Sequence, residues 1–126
     1  MSEGDVAEPL RSGAAQGLAS ILPFPAAPKR VSFDRAELQV ILNLYGRMVA
    51  EGEWRDYAID FTPDKAVFSI YRRTSEVPLY RIEKAPRLAR KQGAYSVVVA
   101  SGLILKRGHE LERVIRVLDK LRVVSN

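Results

Sequence analysis

Nine cations stand between Arg72 and Arg107: Arg72, Arg73, Arg81, Lys84, Arg87, Arg90, Lys91, Lys106 and Arg107. Only Glu76 and Glu83 oppose them, so nine minus two gives +7 in a chain whose whole formal charge is +5. Cations gathered in this way raise the local potential and attract anions, whether a phosphate backbone, anionic lipid or an acidic protein face. Arg87, Arg90 and Lys91 follow Pro86 at i, i+3, i+4 spacing. On a helical turn they would project from one side, where each could neutralise a phosphate and release its counterion. Lys106-Arg107-Gly108 precedes the expected start of the last helix. Two cations, a glycine and free amides there make an anion cradle, with Glu110 as the internal alternative that offsets the helix dipole.

Catalytic chemistry finds less to work with. His109 is the single histidine and stands beside Glu110, but no nucleophile or second metal ligand is spaced to join it. With no cysteine, thiolate catalysis, disulfides and sulfur-ligated metals are excluded. The acids Glu51, Glu53, Asp56, Asp60 and Asp64 make residues 31–71 net acidic, and no pair of them is spaced as an acid/base couple. The expectation is a non-enzymatic protein with no metal site and no cofactor.

The elements that must carry the cations are legible in the hydrophobic pattern. Asp34 and Glu37 have capping-box spacing, and behind them Leu38, Ile41, Leu42, Tyr45, Met48 and Val49 share a helical face, widened by Val40 and Leu44. This predicts a helix over 34–51, ended by Gly52. The period then falls to two. Tyr57, Ile59 and Phe61, a turn at Pro63-Asp64, then Ala66, Phe68 and Ile70 predict a hairpin. A third strand is expected over about 77–84, a helical turn over 86–92, a strongly β-prone strand over 94–100, and a further strand at Leu103-Ile104-Leu105. Leu111, Val114, Ile115, Leu118 and Leu121 stripe a last helix starting after Gly108. Trp54, between the first helix and the first strand, is expected to plug a corner of the core.

The fold class so predicted is α+β: a two-layer sandwich with an antiparallel meander sheet of four to five strands and both helices packed on one face. Its other face would show Val67, Ser69, Tyr71, Arg73, Leu79, Arg81 and Glu83, joined by Val97 or Val99. Val67, Tyr71 and Leu79 are apolar enough there to nominate a protein interface or homodimer contact.

Residues 1–30 are rich in Gly, Ala, Ser and Pro and lack periodicity, which predicts a disordered tail ahead of one domain over 31–126. Leu22-Pro23-Phe24-Pro25-Ala26-Ala27-Pro28 favours extended polyproline conformations and could serve as a linear motif. No apolar run approaches the roughly 18 residues of a membrane span. Glu3, Asp5 and Glu8 stand where an export signal needs positive charge. A cytoplasmic protein is expected.

Several strings are characteristic: Tyr45-Gly46-Arg47-Met48-Val49, Gly52-Glu53-Trp54-Arg55-Asp56-Tyr57-Ala58, Arg72-Arg73, and Pro78-Leu79-Tyr80-Arg81-Ile82-Glu83. Gly93-Ala94-Tyr95-Ser96-Val97-Val98 and Leu103-Ile104-Leu105-Lys106-Arg107-Gly108-His109 join them. Over about residues 32–123 the chain resembles a small alphaproteobacterial family catalogued only as a domain of unknown function. The resemblance implies a cytoplasmic bacterial protein and brings no catalytic residue with it. The residues themselves lead to a binding module. Arg73, Arg81, Arg87, Arg90, Lys91, Lys106 and Arg107 would contact nucleic acid or an acidic protein, and the alternative is a homodimer through Val67, Tyr71 and Leu79.

Overall fold

The computed structural model describes residues 30–73 and 77–121. The expected tail over 1–30, its proline-rich motif and the turn at Thr74-Ser75-Glu76 therefore lie outside the described residues, save Arg30. Helix α1 spans Arg35–Ala50, followed by strands β1 (Asp56–Phe61), β2 (Ala66–Tyr71) and β3 (Tyr80–Lys84). A 3-10 turn at Pro86–Leu88 leads to β4 (Tyr95–Val99), β5 (Ile104–Gly108) and helix α2 (Leu111–Lys120). The strands form one five-stranded sheet in chain order, each antiparallel to its neighbour. The meander and the α+β class are thus as the sequence pattern predicts.

Local chemistry starts α1. Asp34 is its N-cap: the Asp34 carboxylate accepts from Glu37 N at 2.8 Å, and the Glu37 carboxylate accepts from Asp34 N at 2.7 Å. Two amides that the helix itself cannot satisfy are paired this way. At the other end Gly52 takes φ +78, a left-handed turn open to glycine. The first hairpin closes through Thr62, whose hydroxyl accepts from Lys65 N at 3.0 Å and donates to Lys65 O.

Buried residues of both helices and of one face of the sheet belong to a single cluster. Ile41, Leu44 and Met48 come from α1, and Leu111, Val114, Ile115 and Leu118 from α2; the strands add Ala66, Phe68, Ile70, Ile82 and Val97. Trp54 is 2% exposed in the same cluster and lies 6.1 Å from the Tyr45 ring, filling the corner between α1 and β1. One expectation about α1 changes. Leu42 and Val49, assigned by periodicity to the buried face, are exposed. Leu38, Leu42, Tyr45 and Val49 form a second stripe beside the buried one, and Tyr45 meets Tyr57 of outermost strand β1, centroid to centroid, at 4.9 Å. That stripe lies at the sheet's margin, so it has only an edge strand to pack on.

The other sheet face carries an ion chain. By register, Ala58, Ser69, Arg81, Val98 and Ile104 form one row and Asp60, Val67, Glu83, Ser96 and Arg107 the next. Arg81 Nε donates to Glu83 at 3.3 Å, and Lys65 Nζ reaches the other oxygen of Glu83 at 3.2 Å.

Glu37 also ties α1 to the sheet. Lys84 Nζ donates to Glu37 Oε1 at 2.7 Å and to Ser32 O at 2.9 Å, while the Tyr95 hydroxyl donates to Glu37 Oε2. Burial first, then the bond to Glu37 and the negative charges of Glu37 and Asp34, hold the Tyr95 phenol well above the usual tyrosine range. A pKa raised by folding makes a contribution that is complete below the unfolded value of about 10 and is lost as pH climbs toward the folded value. Urea midpoints are therefore expected to hold steady up to about pH 10 and fall above it. In Tyr95→Phe the fall should be shallower; equal slopes in both proteins would contradict this role.

Candidate anion-binding surface

Strands β3 and β4 are joined by residues 85–94, which carry three of the expected cations. Pro86 opens the segment at a helical position that needs no amide, and Leu88 N bonds Ala85 O, Ala89 N bonds Pro86 O, and both Lys91 N and Gly93 N bond Leu88 O. The turn is compact, and Arg87, Arg90 and Lys91 are exposed on it.

This turn is locked to the end of β5. Arg107 Nη1 donates to Gln92 Oε1 at 2.7 Å. Gly93 sits at φ +103, and a Cβ added there would fall 2.2 Å from the carbonyl carbon of Gly108. The two backbones thus touch at a point where only hydrogen fits. As a result Arg87, Arg90, Lys91, Lys106 and Arg107 come from segments joined at one end of the sheet. None of the five has an acidic partner among the described residues.

Lys106 and Arg107, expected directly before the start of the last helix, stand farther from it. They belong to β5, opposite Val97 and Ser96, and α2 begins only at Leu111 with Glu110 as an N-cap that makes no side-chain cap bond. Strand pairing extends through the cations because β4 offers a partner as far as Tyr95. Beside them lies a cavity of about 300 Å³ lined by Lys106, Arg107, Gly108, His109, Glu110, Arg113 and Val114. Exposed His109 stands in the connection, outside the helix, and Arg113 pairs with Glu110 at 2.9 Å.

Two of the seven nominated cations lie elsewhere. Arg81 is paired within the Lys65–Glu83–Arg81 chain, where one carboxylate serves two cations. Arg73 follows the C-terminal end of β2, at the opposite end of the sheet from the 86–92 turn. There it lines a cavity of about 490 Å³ with Val49, Gly52, Trp54, Arg55 and Arg72. Of the nominated interface residues, Val67 shares its row with Asp60 and Glu83, Tyr71 lies opposite Asp56, and Leu79 packs half-buried against the core cluster. Sequence reasoning missed Gln92, whose amide bridges the turn to β5, and the withdrawal of Lys84 from the basic run by Glu37. Neither has a local signal, since the partners lie 15 and 47 residues away.

Among the described residues no group of three or more His, Asp or Glu could hold a metal, and no helix is long and apolar enough to cross a membrane. The fold defines a small α+β protein of two helices and a five-stranded antiparallel meander. Residues 31–115 match the family described as "Protein of unknown function (DUF2794)", and the chain belongs to that family. No curated protein and no solved structure matches the chain.

Proposed function

We propose that this chain is a non-enzymatic binding module that contacts nucleic acid through its basic end, acting in the cytoplasm. The observation that carries the reading is the joining of Arg87, Arg90 and Lys91 to Lys106 and Arg107 with no acidic partner among the described residues. Five cations on segments fixed to each other keep their charge available to a ligand, whereas Arg81 and Lys84 are held by carboxylates. Phosphates spaced along a strand suit such a surface better than one small anion, because Arg87, Arg90, Lys91 and Lys106 are exposed and the five cations are spread over a turn and a strand. The lack of cysteine fits a reducing compartment.

Labelled RNA and DNA titrated by fluorescence anisotropy test the reading. At about 0.1 M salt each phosphate contact on duplex DNA is worth roughly eightfold in affinity by counterion release. Arg87→Ala/Arg90→Ala/Lys91→Ala is therefore expected to weaken binding about 100-fold or more, while Arg73→Ala, at the other end of the sheet, changes it little. Equal losses in both would remove the 86–107 end as the contact.

A further inference from the structure

The two outer strands of the sheet are built differently. β5 carries an irregular register opposite Val97–Val98 and presents Lys106 and Arg107, features that keep a sheet edge from pairing with another edge. β1 has neither. Its register with β2 is continuous from Asp56 to Phe61, and its only charged side chains are Asp56 and Asp60.

The ladder fixes which backbone groups of β1 face outward. Thr62 N donates to Lys65 O at 2.9 Å, so Thr62–Lys65 is a hydrogen-bonded pair. Antiparallel pairs alternate, which makes Asp60–Val67, Ala58–Ser69 and Asp56–Tyr71 the other bonded pairs. The N–H and C=O groups of Tyr57, Ile59 and Phe61 therefore point away from β2. Tyr57 N, accordingly, has the neighbouring Asp56 carboxylate as its acceptor, at 2.8 Å. The side chains of the same three residues lie on the sheet face that carries Phe68: Tyr57 is 41% exposed, Phe61 is 38% exposed and Ile59 is half-buried. Beside them runs the uncovered α1 stripe with Leu42 and Val49.

We propose that β1 pairs antiparallel with β1 of a second copy of this chain, about a two-fold axis at Ile59. The aspartates select that register. An axis at Ala58 would set Asp56 opposite Asp60 twice, and an axis at Asp60 would set Asp60 against its own copy; like charges directly opposite are unfavourable. An axis at Tyr57 leaves half the strand unpaired. With the axis at Ile59, each Asp60 faces an Ala58, each Tyr57 faces a Phe61, and Ile59 faces itself. All three outward-facing residues become bonded pairs, the apolar side chains fall on one face, and the two five-stranded sheets join into one closed assembly. This contact differs from the Val67, Tyr71 and Leu79 face and does not depend on the nucleic-acid reading.

Sedimentation of the full chain from micromolar to sub-millimolar concentration is expected to rise from the 14.1 kDa monomer to twice that mass. Ile59→Pro removes an outward N–H and no β1–β2 bond, so it should raise the dissociation constant at least tenfold with the circular dichroism spectrum retained. The absence of native cysteine gives a register test that holds even if that variant fails to fold. Residues 57 and 61 of partner strands would form a bonded pair about 5.5 Å apart at Cα. Within one strand they lie about 13 Å apart, beyond disulfide reach. Tyr57→Cys/Phe61→Cys, which keeps both aspartates, should therefore oxidise to a covalent dimer, and neither single variant should. A disulfide dimer from either single variant, a dimer indifferent to Ile59→Pro in a folded chain, or a monomer at every concentration without cross-linking would overturn the proposal. The last result would leave β1 to another segment of this chain or to a strand from a different protein.

Discussion

Gly93→Ala is expected to cost about 4 kcal/mol of stability, enough to leave a domain at the lower end of the usual 5–15 kcal/mol range with only about 1 kcal/mol. Two independent penalties add. The residue sits at φ +103, where an L side chain is strained by about 1–3 kcal/mol. The new methyl would also stand 2.2 Å from both the carbonyl carbon and the oxygen of Gly108. These are backbone atoms, held by the pairing of Gly108 with Tyr95, so they cannot rotate aside as a flexible side chain would. Overpacking of this kind costs about 1–3 kcal/mol more. The damage falls where the basic turn docks on β5, so folding and the binding surface are coupled through one contact. Urea denaturation followed by circular dichroism gives the readout: a midpoint lowered by more than 1 M is expected, and a loss under 1 kcal/mol would contradict the close approach.

Glu37→Ala is expected to cost about 3 kcal/mol, the second large effect. Removing the carboxylate takes away the N3 half of the capping box and leaves Lys84, whose side chain is 18% exposed, without its counter-charge. Breaking a buried ion pair from one side costs about 3–5 kcal/mol, and the lower end applies because Ser32 O still accepts from Lys84 Nζ. Tyr95 loses its acceptor in the same step. Glu37→Ala/Lys84→Met should recover most of the loss, since the uncompensated ammonium is then gone. A thermal melt of the single and double variants decides the matter; a double variant no better than Glu37→Ala would show that the pair itself is not what matters.

These two positions mark the boundary of what the sequence made legible. Asp34 and Glu37 declare the helix start because capping is local, and Pro63-Asp64 between two alternating runs declares the hairpin for the same reason. The second role of Glu37, toward Lys84 and Tyr95, joins residues 47 and 58 apart, and no spacing rule reaches that far. Gly93 reads as a segment end, and its contact with Gly108 depends on how β4 and β5 pair. Lys106 and Arg107 read as the lead-in to the last helix, and their place in β5 depends on β4 supplying a strand for them to pair with. On α1 the periodicity is correct but covers too wide a face. Which stripe is buried depends on α1 lying over the margin of the sheet, so Leu42 and Val49 remain outside. For the candidate site, the cation types and the Arg87–Lys91 spacing were readable, whereas the separation of Arg73 and the capture of Arg81 by Glu83 required the register.

The most direct measurement is the affinity for a short nucleic-acid duplex at several salt concentrations between 50 and 200 mM, for the wild type and for Arg87→Ala/Arg90→Ala/Lys91→Ala. With five cations engaged, the slope of log K against log[salt] should be about −4.5, falling to about −2 when three are removed. No binding at 50 mM salt, or a slope the same in both proteins, would contradict the assignment of the basic end as the nucleic-acid contact.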